Sequence, residues 1–175
     1  MDIDVLGPLA VRENGFSVTP TAPKPRRVLA LLALHADQVV PVSALIEELW
    51  AGTPPRTART TLQTYVLQVR ALIATALERS PAGEGARRTA KDVLVTLPGG
   101  YLLNSGGGTL DVREFDRLAG TGYRAMDAGD FPGAARLLRE ALALWSGPAF
   151  ADVQGGIQLD METRRLEETR LCALD

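Results

Sequence analysis

Cysteine and histidine are almost absent, since the 175 residues hold one of each, Cys172 and His35. A single thiol excludes an internal disulfide, and one imidazole beside it makes no ligand set of metal-binding spacing, so neither a structural metal nor a cofactor is expected. Lysine is scarce as well: Lys24 and Lys91 are two of nineteen basic residues, the other seventeen being arginine. Arginine suits bidentate contact with phosphate or guanine, and a GC-rich genome produces the same bias without functional meaning. No apolar run approaches the roughly 18 to 20 residues that cross a bilayer. The opening Met1-Asp2-Ile3-Asp4 carries no positive segment of the signal-peptide kind, so a cytoplasmic location is expected. There is no GxxxxGK(S/T) phosphate loop and no nucleophile-base motif, which argues against an enzyme.

What is present is an apolar share of 46%, ample for a packed core in one large domain or two small ones. The net charge of -2 is unevenly spread. From Pro20 to Asn104 ten Lys/Arg face six Asp/Glu, a surplus of four, whereas Ser105 to Asp175 has eight against twelve, a deficit of four. The two halves have opposite sign, so the distribution of charge bears on a nucleic-acid partner more than the sum does.

The spacing of apolar residues predicts an α+β chain. Ile3, Val5, Leu6, Leu9 and Val11, broken at Gly7-Pro8, read as paired strands, with Phe16 and Val18 returning after an Asn14-Gly15 hairpin turn. A first helix follows Pro25 over about Arg26 to Ala36, and a second, N-capped by Ser43, carries Leu45, Ile46, Leu49 and Trp50 up to Gly52 and Pro54-Pro55. A third runs from near Thr57 to about Leu77, with Ala58, Leu62, Tyr65, Val66, Val69, Leu72 and Ile73 on one face. Its other face holds Arg56, Arg59, Thr60, Gln63, Thr64, Leu67 and Arg70. Val93, Val95 and Leu97, the turn Pro98-Gly99-Gly100 and Tyr101 to Leu103 then form a terminal hairpin. Sheet, three helices and hairpin in that order match an OmpR-type winged helix-turn-helix over residues 1-104, whose third helix enters the major groove and whose hairpin touches adjacent backbone.

Gly106-Gly107-Gly108 marks residues 105-110 as a flexible linker. From 111 to 175 an all-α part is expected: a helix capped by Asp111, a break at Gly129-Asp130, a second helix from Phe131 to Trp145, and a last one from Ile157. Gly129-Asp130-Phe131, Ala134 and Ala141-Leu142 resemble one tetratricopeptide turn and helix, and with no stop signal near Asp175 the chain is expected to end inside a helix or repeat array.

These segments together resemble the Streptomyces antibiotic regulatory proteins, which join an OmpR-type winged helix to a bacterial transcriptional activation domain. The resemblance is carried by Leu6-Gly7-Pro8-Leu9, Lys24-Pro25-Arg26-Arg27 before Leu31-Leu32-Ala33-Leu34, Glu48-Leu49-Trp50 before Pro54-Pro55, and Thr61-Leu62-Gln63-Thr64-Tyr65-Val66. Gly99-Gly100-Tyr101-Leu102-Leu103, Leu144-Trp145-Ser146-Gly147-Pro148 and Arg165 to Leu171 extend it over nearly the whole chain, nearest to the short activators of the daunorubicin type. It implies activation of an antibiotic gene cluster, binding to tandem direct repeats near a promoter as a head-to-tail homodimer, and recruitment of RNA polymerase through its sigma factor and alpha subunit. None of these properties follows from composition or spacing.

Residue chemistry divides the candidate DNA-binding roles. Gln63 and Arg59 suit base edges, whereas Thr60, Thr64 and Arg70 suit phosphate as well as bases, and Leu67 suits a thymine methyl. Arg26 and Arg27, with Lys24, face phosphate or simply solvate a helix start, where their charge opposes the macrodipole. Arg87, Arg88 and Lys91 precede the wing and either touch backbone or lie in a solvated loop. Gly99 and Gly100 are turn residues at the wing, followed by Tyr101, and Tyr65 lies on the core side of its helix. Trp50 and Trp145 read as core anchors, His35 as a surface or partly packed residue, and Cys172 as a small apolar packer. The alternative reading is an interaction adaptor whose winged helix no longer binds DNA.

Overall fold

A computed structural model describes residues 1-79 and 88-175. It opens with three antiparallel strands, β1 (Asp2–Asp4), β2 (Ala10–Glu13) and β3 (Phe16–Ser17), in the order β1-β2-β3. Asn14 and Gly15 both take positive φ, 50° and 84°, the twist a two-residue hairpin needs, which is why this pair sits at the turn. Helix α1 (Pro23–Leu34) has proline in its first turn, where the missing N–H costs nothing, and buries Val28 through Ala33. Helix α2 (Val42–Trp50) starts two residues earlier than expected; its N-cap is Pro41, so Ser43 lies within the helix and caps nothing.

Val39–Pro41 forms a further strand, β4. It pairs with β6 (Gly100–Leu103), which pairs with β5 (Leu94–Leu97), giving the order β4-β6-β5. Short polar-flanked strands of this kind show no alternation long enough to recognise. A one-turn helix, α4 (Ala90–Val93), closed by a reciprocal Thr89–Asp92 capping box, also went unseen. Between the sheets, α3 (Ala58–Arg79) buries Ala58, Leu62, Val66, Val69, Ile73 and Ala76, a stripe repeating every three or four residues. Sheet, three helices and wing thus form the expected winged helix-turn-helix.

The helical half consists of α5 (Asp111–Asp127), α6 (Phe131–Ala143) and α7 (Ile157–Leu174). Asp130 caps α6 by accepting from Gly133 N at 3.1 Å. α5 and α6 pack closely at Gly122, where a Cβ would lie 3.0 Å from Leu138. Phe115 and Trp145 meet in a T-shaped arrangement with ring centroids 5.6 Å apart, and the Arg170 guanidinium lies over the indole at 4.8 Å.

Three expectations are corrected here. Residues 105-110 are not a loose tether: Ile3 N donates to Thr109 O at 2.8 Å, Thr109 donates to the Asp2 carboxylate, and Leu110 bridges in parallel to Ile3. Glycine-rich composition permits motion, but here the segment runs as an extra edge along β1. Asp111 does not cap α5, whose N-cap is Leu110; its carboxylate instead accepts from Val5 N and Leu6 N at 2.9 to 3.0 Å. Cys172 is exposed rather than packed.

The two halves therefore share one core, in which Ile3, Val5 and Leu6 meet Phe115, Trp145 and Phe150. The first sheet joins the helical half through Ser146 N to Leu6 O at 2.8 Å, Phe150 N to Val5 O at 3.0 Å and Leu9 N to the Asp152 carboxylate at 2.8 Å.

Candidate nucleic-acid interface

Burying one stripe of α3 leaves the opposite stripe in solvent. Arg59, Thr60, Gln63, Thr64 and Leu67 are all exposed, and Leu67 keeps 62% of its surface. Arg56 lies just ahead of the helix and is exposed as well. The side chains of Arg56, Arg59 and Gln63 make no hydrogen bond or ion pair with any other described residue. Thr64 Oγ1 only turns back to Thr60 O at 3.2 Å. No acidic residue occupies the first turn of α3, so the positive end of its dipole adds to Arg56 and Arg59. Gln68 and Ala71 extend this open strip and were not singled out from sequence, because a lone amide or methyl on a solvated face carries no distinguishing signal.

Other candidates have internal partners. Arg70 Nε and Nη2 donate to Leu94 O at 2.9 and 2.7 Å, and Nη2 also to Thr96 Oγ1 at 2.6 Å. The guanidinium thus ties α3 to the wing strand β5 and is not free for phosphate. Arg26 pairs with Asp152 and donates to Pro20 O at 2.8 Å. Arg27 donates to the carbonyls of Gln154, Glu48 and Leu49. Both face the helical half, a destination that the local sequence around α1 does not reveal. Arg88 donates to Asn104 O at 2.8 Å and lies 3.7 Å from the buried Glu13 carboxylate.

At the wing, Gly99 is exposed with φ 77°, while Gly100 is buried because any Cβ there would come within 2.6 Å of Val40 O. Tyr101, 7% exposed, packs into the core. Gly100 and Tyr101 hold the wing to the body and offer nothing to a nucleic acid. Tyr65 is half-buried and stacks on Trp50 at 6.5 Å, and Lys24 lies 5.2 Å above the Trp50 ring. Trp50 is accordingly a half-buried prop for α3 rather than a fully enclosed anchor. Lys91 is exposed with no partner among the described residues. Arg87 lies outside the described residues. The basic surplus of this half shrinks on folding: among the described residues, only Arg56, Arg59 and Lys91 of Pro20 to Asn104 are engaged by nothing else.

No described helix is long and apolar enough to cross a membrane, and among the described residues no group of three or more His, Cys, Asp or Glu is placed to hold a metal.

Comparison with known proteins places this geometry. Residues 17-82 match the transcriptional regulatory protein C-terminal domain, and residues 110-175 match the bacterial transcriptional activator domain. The regulatory protein DnrI of Streptomyces peucetius is 51% identical over 175 residues, all of this chain and 62% of the relative. The transcriptional regulatory protein MoaR1 of Mycobacterium tuberculosis is 35% identical over 172 residues, 98% of this chain and 52% of the relative. The solved structure of Mycobacterium tuberculosis EmbR in complex with a low affinity phosphopeptide superimposes with a TM-score of 0.82 at 33% identity, over 98% of this chain and 43% of that one. The chain thus spans roughly half the length of the relatives it matches. With a winged helix and an activator domain in this order, and half of its residues shared along its whole length with a Streptomyces regulator, the chain belongs to the Streptomyces antibiotic regulatory protein family of transcriptional regulators.

Proposed function

We propose that this chain activates transcription of an antibiotic gene cluster by reading promoter DNA with α3, binding tandem direct repeats as a head-to-tail homodimer and recruiting RNA polymerase through its sigma factor and alpha subunit. The observation that carries the DNA reading is the unpartnered face of α3. Arg59 and Gln63 stand free to meet base edges, Leu67 to meet a thymine methyl, and Arg56 and Lys91 to meet phosphate on either side. The opposed charge of the two halves supports a head-to-tail arrangement, since a basic winged half and an acidic helical half attract across neighbouring sites. Direct repeats suit that heterologous contact, whereas a two-fold dimer demands an inverted site. The names of DnrI and of the Streptomyces coelicolor regulator RedD, 32% identical over 175 residues, support a regulatory role of the same kind.

The test is a salt titration on a duplex that this chain selects from a random pool. Three free cations per bound copy predict log K falling with log salt at a slope of about -3, since each phosphate neutralised contributes about 0.9. Had every basic residue from Pro20 to Asn104 reached phosphate, the slope would approach about -9. Absence of saturable binding at modest salt would instead make the chain an adaptor.

A further inference from the structure

Glu48 belongs to the winged half, yet its carboxylate makes its hydrogen bonds with the helical half. It sits on α2, 2% exposed, with its carboxylate turned away from α1 and α3 toward the start of α7. There it accepts from Gly156 N at 2.6 Å, Gln158 N at 2.8 Å and Leu159 N at 3.1 Å. The N-cap of α7 is Gly156, which has no side chain to satisfy these donors, so a residue more than a hundred positions earlier does it. A side chain at Gly156 would collide with the Glu48 carbonyl and lie 2.9 Å from Glu48 Cδ, so the glycine is what lets the carboxylate reach the helix. Arg27 closes the same junction from α1 through the carbonyls of Glu48 and Gln154. Two residues along α2, Trp50 stacks on Tyr65 of the DNA-facing helix. A continuous run of contacts therefore links α3 to α7 through one short helix.

We infer that Glu48 is a positioning residue, which fixes α7 to the DNA-facing helix so that the distance between two bound copies is set by a rigid body. The inference rests on the DNA reading proposed above. A negative charge at the start of a helix is favoured by the dipole, and three N–H donors orient it, so α7 cannot tilt without leaving a carboxylate and its donors unmatched in a buried site. Two chains meeting on one DNA face would then tolerate only the separation that this fixed angle allows.

The experiment uses the chain with Glu48→Gln, and separately with Gly156→Ala, whose added methyl presses on the same contact from the α7 side. Gln has one acceptor oxygen where Glu has two, so at least one α7 amide loses its partner. Hydrogen exchange of Gly156, Gln158 and Leu159 is expected to speed up by roughly ten- to a hundredfold in both variants. On a selected duplex carried as one copy, affinity is expected to stay within about twofold, because no group on the open α3 face has changed. On two tandem copies the unaltered chain is expected to lose cooperativity when the repeats are moved apart by two base pairs, and the variants to keep what cooperativity they have. Unchanged amide exchange overturns the clasp. Faster exchange with an unchanged spacing profile overturns the positioning role and leaves Glu48 a purely structural cap. A chain that selects no duplex defeats the DNA reading, while the exchange measurement still decides the clasp.

Discussion

Replacing Arg70 with Met separates two jobs that look alike from outside. The variant keeps the apolar stem that packs beside α3 and removes only the guanidinium. What is lost is the donation from Nε and Nη2 to Leu94 O and from Nη2 to Thr96 Oγ1. Leu94 is fully buried, so its carbonyl loses a charged donor that water cannot easily replace, whereas Thr96 is exposed and finds solvent. An unmatched buried acceptor costs about 1 to 3 kcal/mol, and with Arg70 itself only half-buried the lower part, about 1 to 2 kcal/mol, applies. For a chain of this size each kcal/mol moves the melting temperature by about 2 to 4 °C, giving a drop of about 2 to 8 °C. Denaturant unfolding should show a lower midpoint with the same slope. On DNA, the salt dependence should not change, because the guanidinium never reached phosphate. A variant that melts normally but whose salt slope falls by roughly one unit would mean that Arg70 touches phosphate and that the tie to the wing is not what holds it.

Truncating Gln63 or Arg59 to Ala should weaken a selected duplex by about 1 to 3 kcal/mol and random DNA much less; equal losses on both would remove their base-reading role. Trp145→Ala should cost about 3 to 5 kcal/mol by emptying the site against Phe115 and beneath Arg170, whereas Trp145→Phe should cost far less, since it gives up an indole N–H that has no acceptor among the described residues. An unaltered melting curve for the Ala variant would mean the ring is not part of the core. Asp37 supplies a pH dependence. Burial opposes its charge, but donation from Ser105 N and Oγ and from Arg113 outweighs burial and holds the carboxyl below its ordinary value of 3.8. A depressed carboxyl contributes stability above its unfolded value and loses it as pH falls through the folded one, so Asp37→Asn should be less stable near neutrality and the gap should narrow on acidification. A gap that widens toward low pH would contradict the assignment.

Local periodicity was enough for the six longer helices and both hairpin turns, because each depends on neighbours within a few positions. The stripe through Leu62, Val66, Val69 and Ile73 can be buried only on a helix, and its complement, Arg59 to Leu67, is then exposed whatever lies beyond. The positive φ values at Asn14, Gly15 and Gly99 suit those residue types directly. The candidate interface was therefore legible as a face of α3. Strand β4 was not, since three residues acquire strand geometry only from the β6 partner some sixty positions later.

The fate of individual charges was decided by the tertiary structure alone. Arg26, Arg27, Arg70 and Arg88 look in sequence like Arg56 and Arg59, flexible cations of the winged half. Which of them is free depends on where distant carbonyls and carboxylates arrive: Asp152 and Gln154 for the first two, Leu94 for the third, Asn104 and Glu13 for the fourth. The same holds for Glu48 and Asp111, whose acidity is visible in the sequence but whose partners are backbone amides on the opposite half. It also holds for 105-110, where glycine allowed a tether and the open edge of β1 took it up as an extra strand-like pairing. Helix faces follow from the order of residues along the chain, whereas the pairing of a long polar side chain follows from which distant segment folds against it.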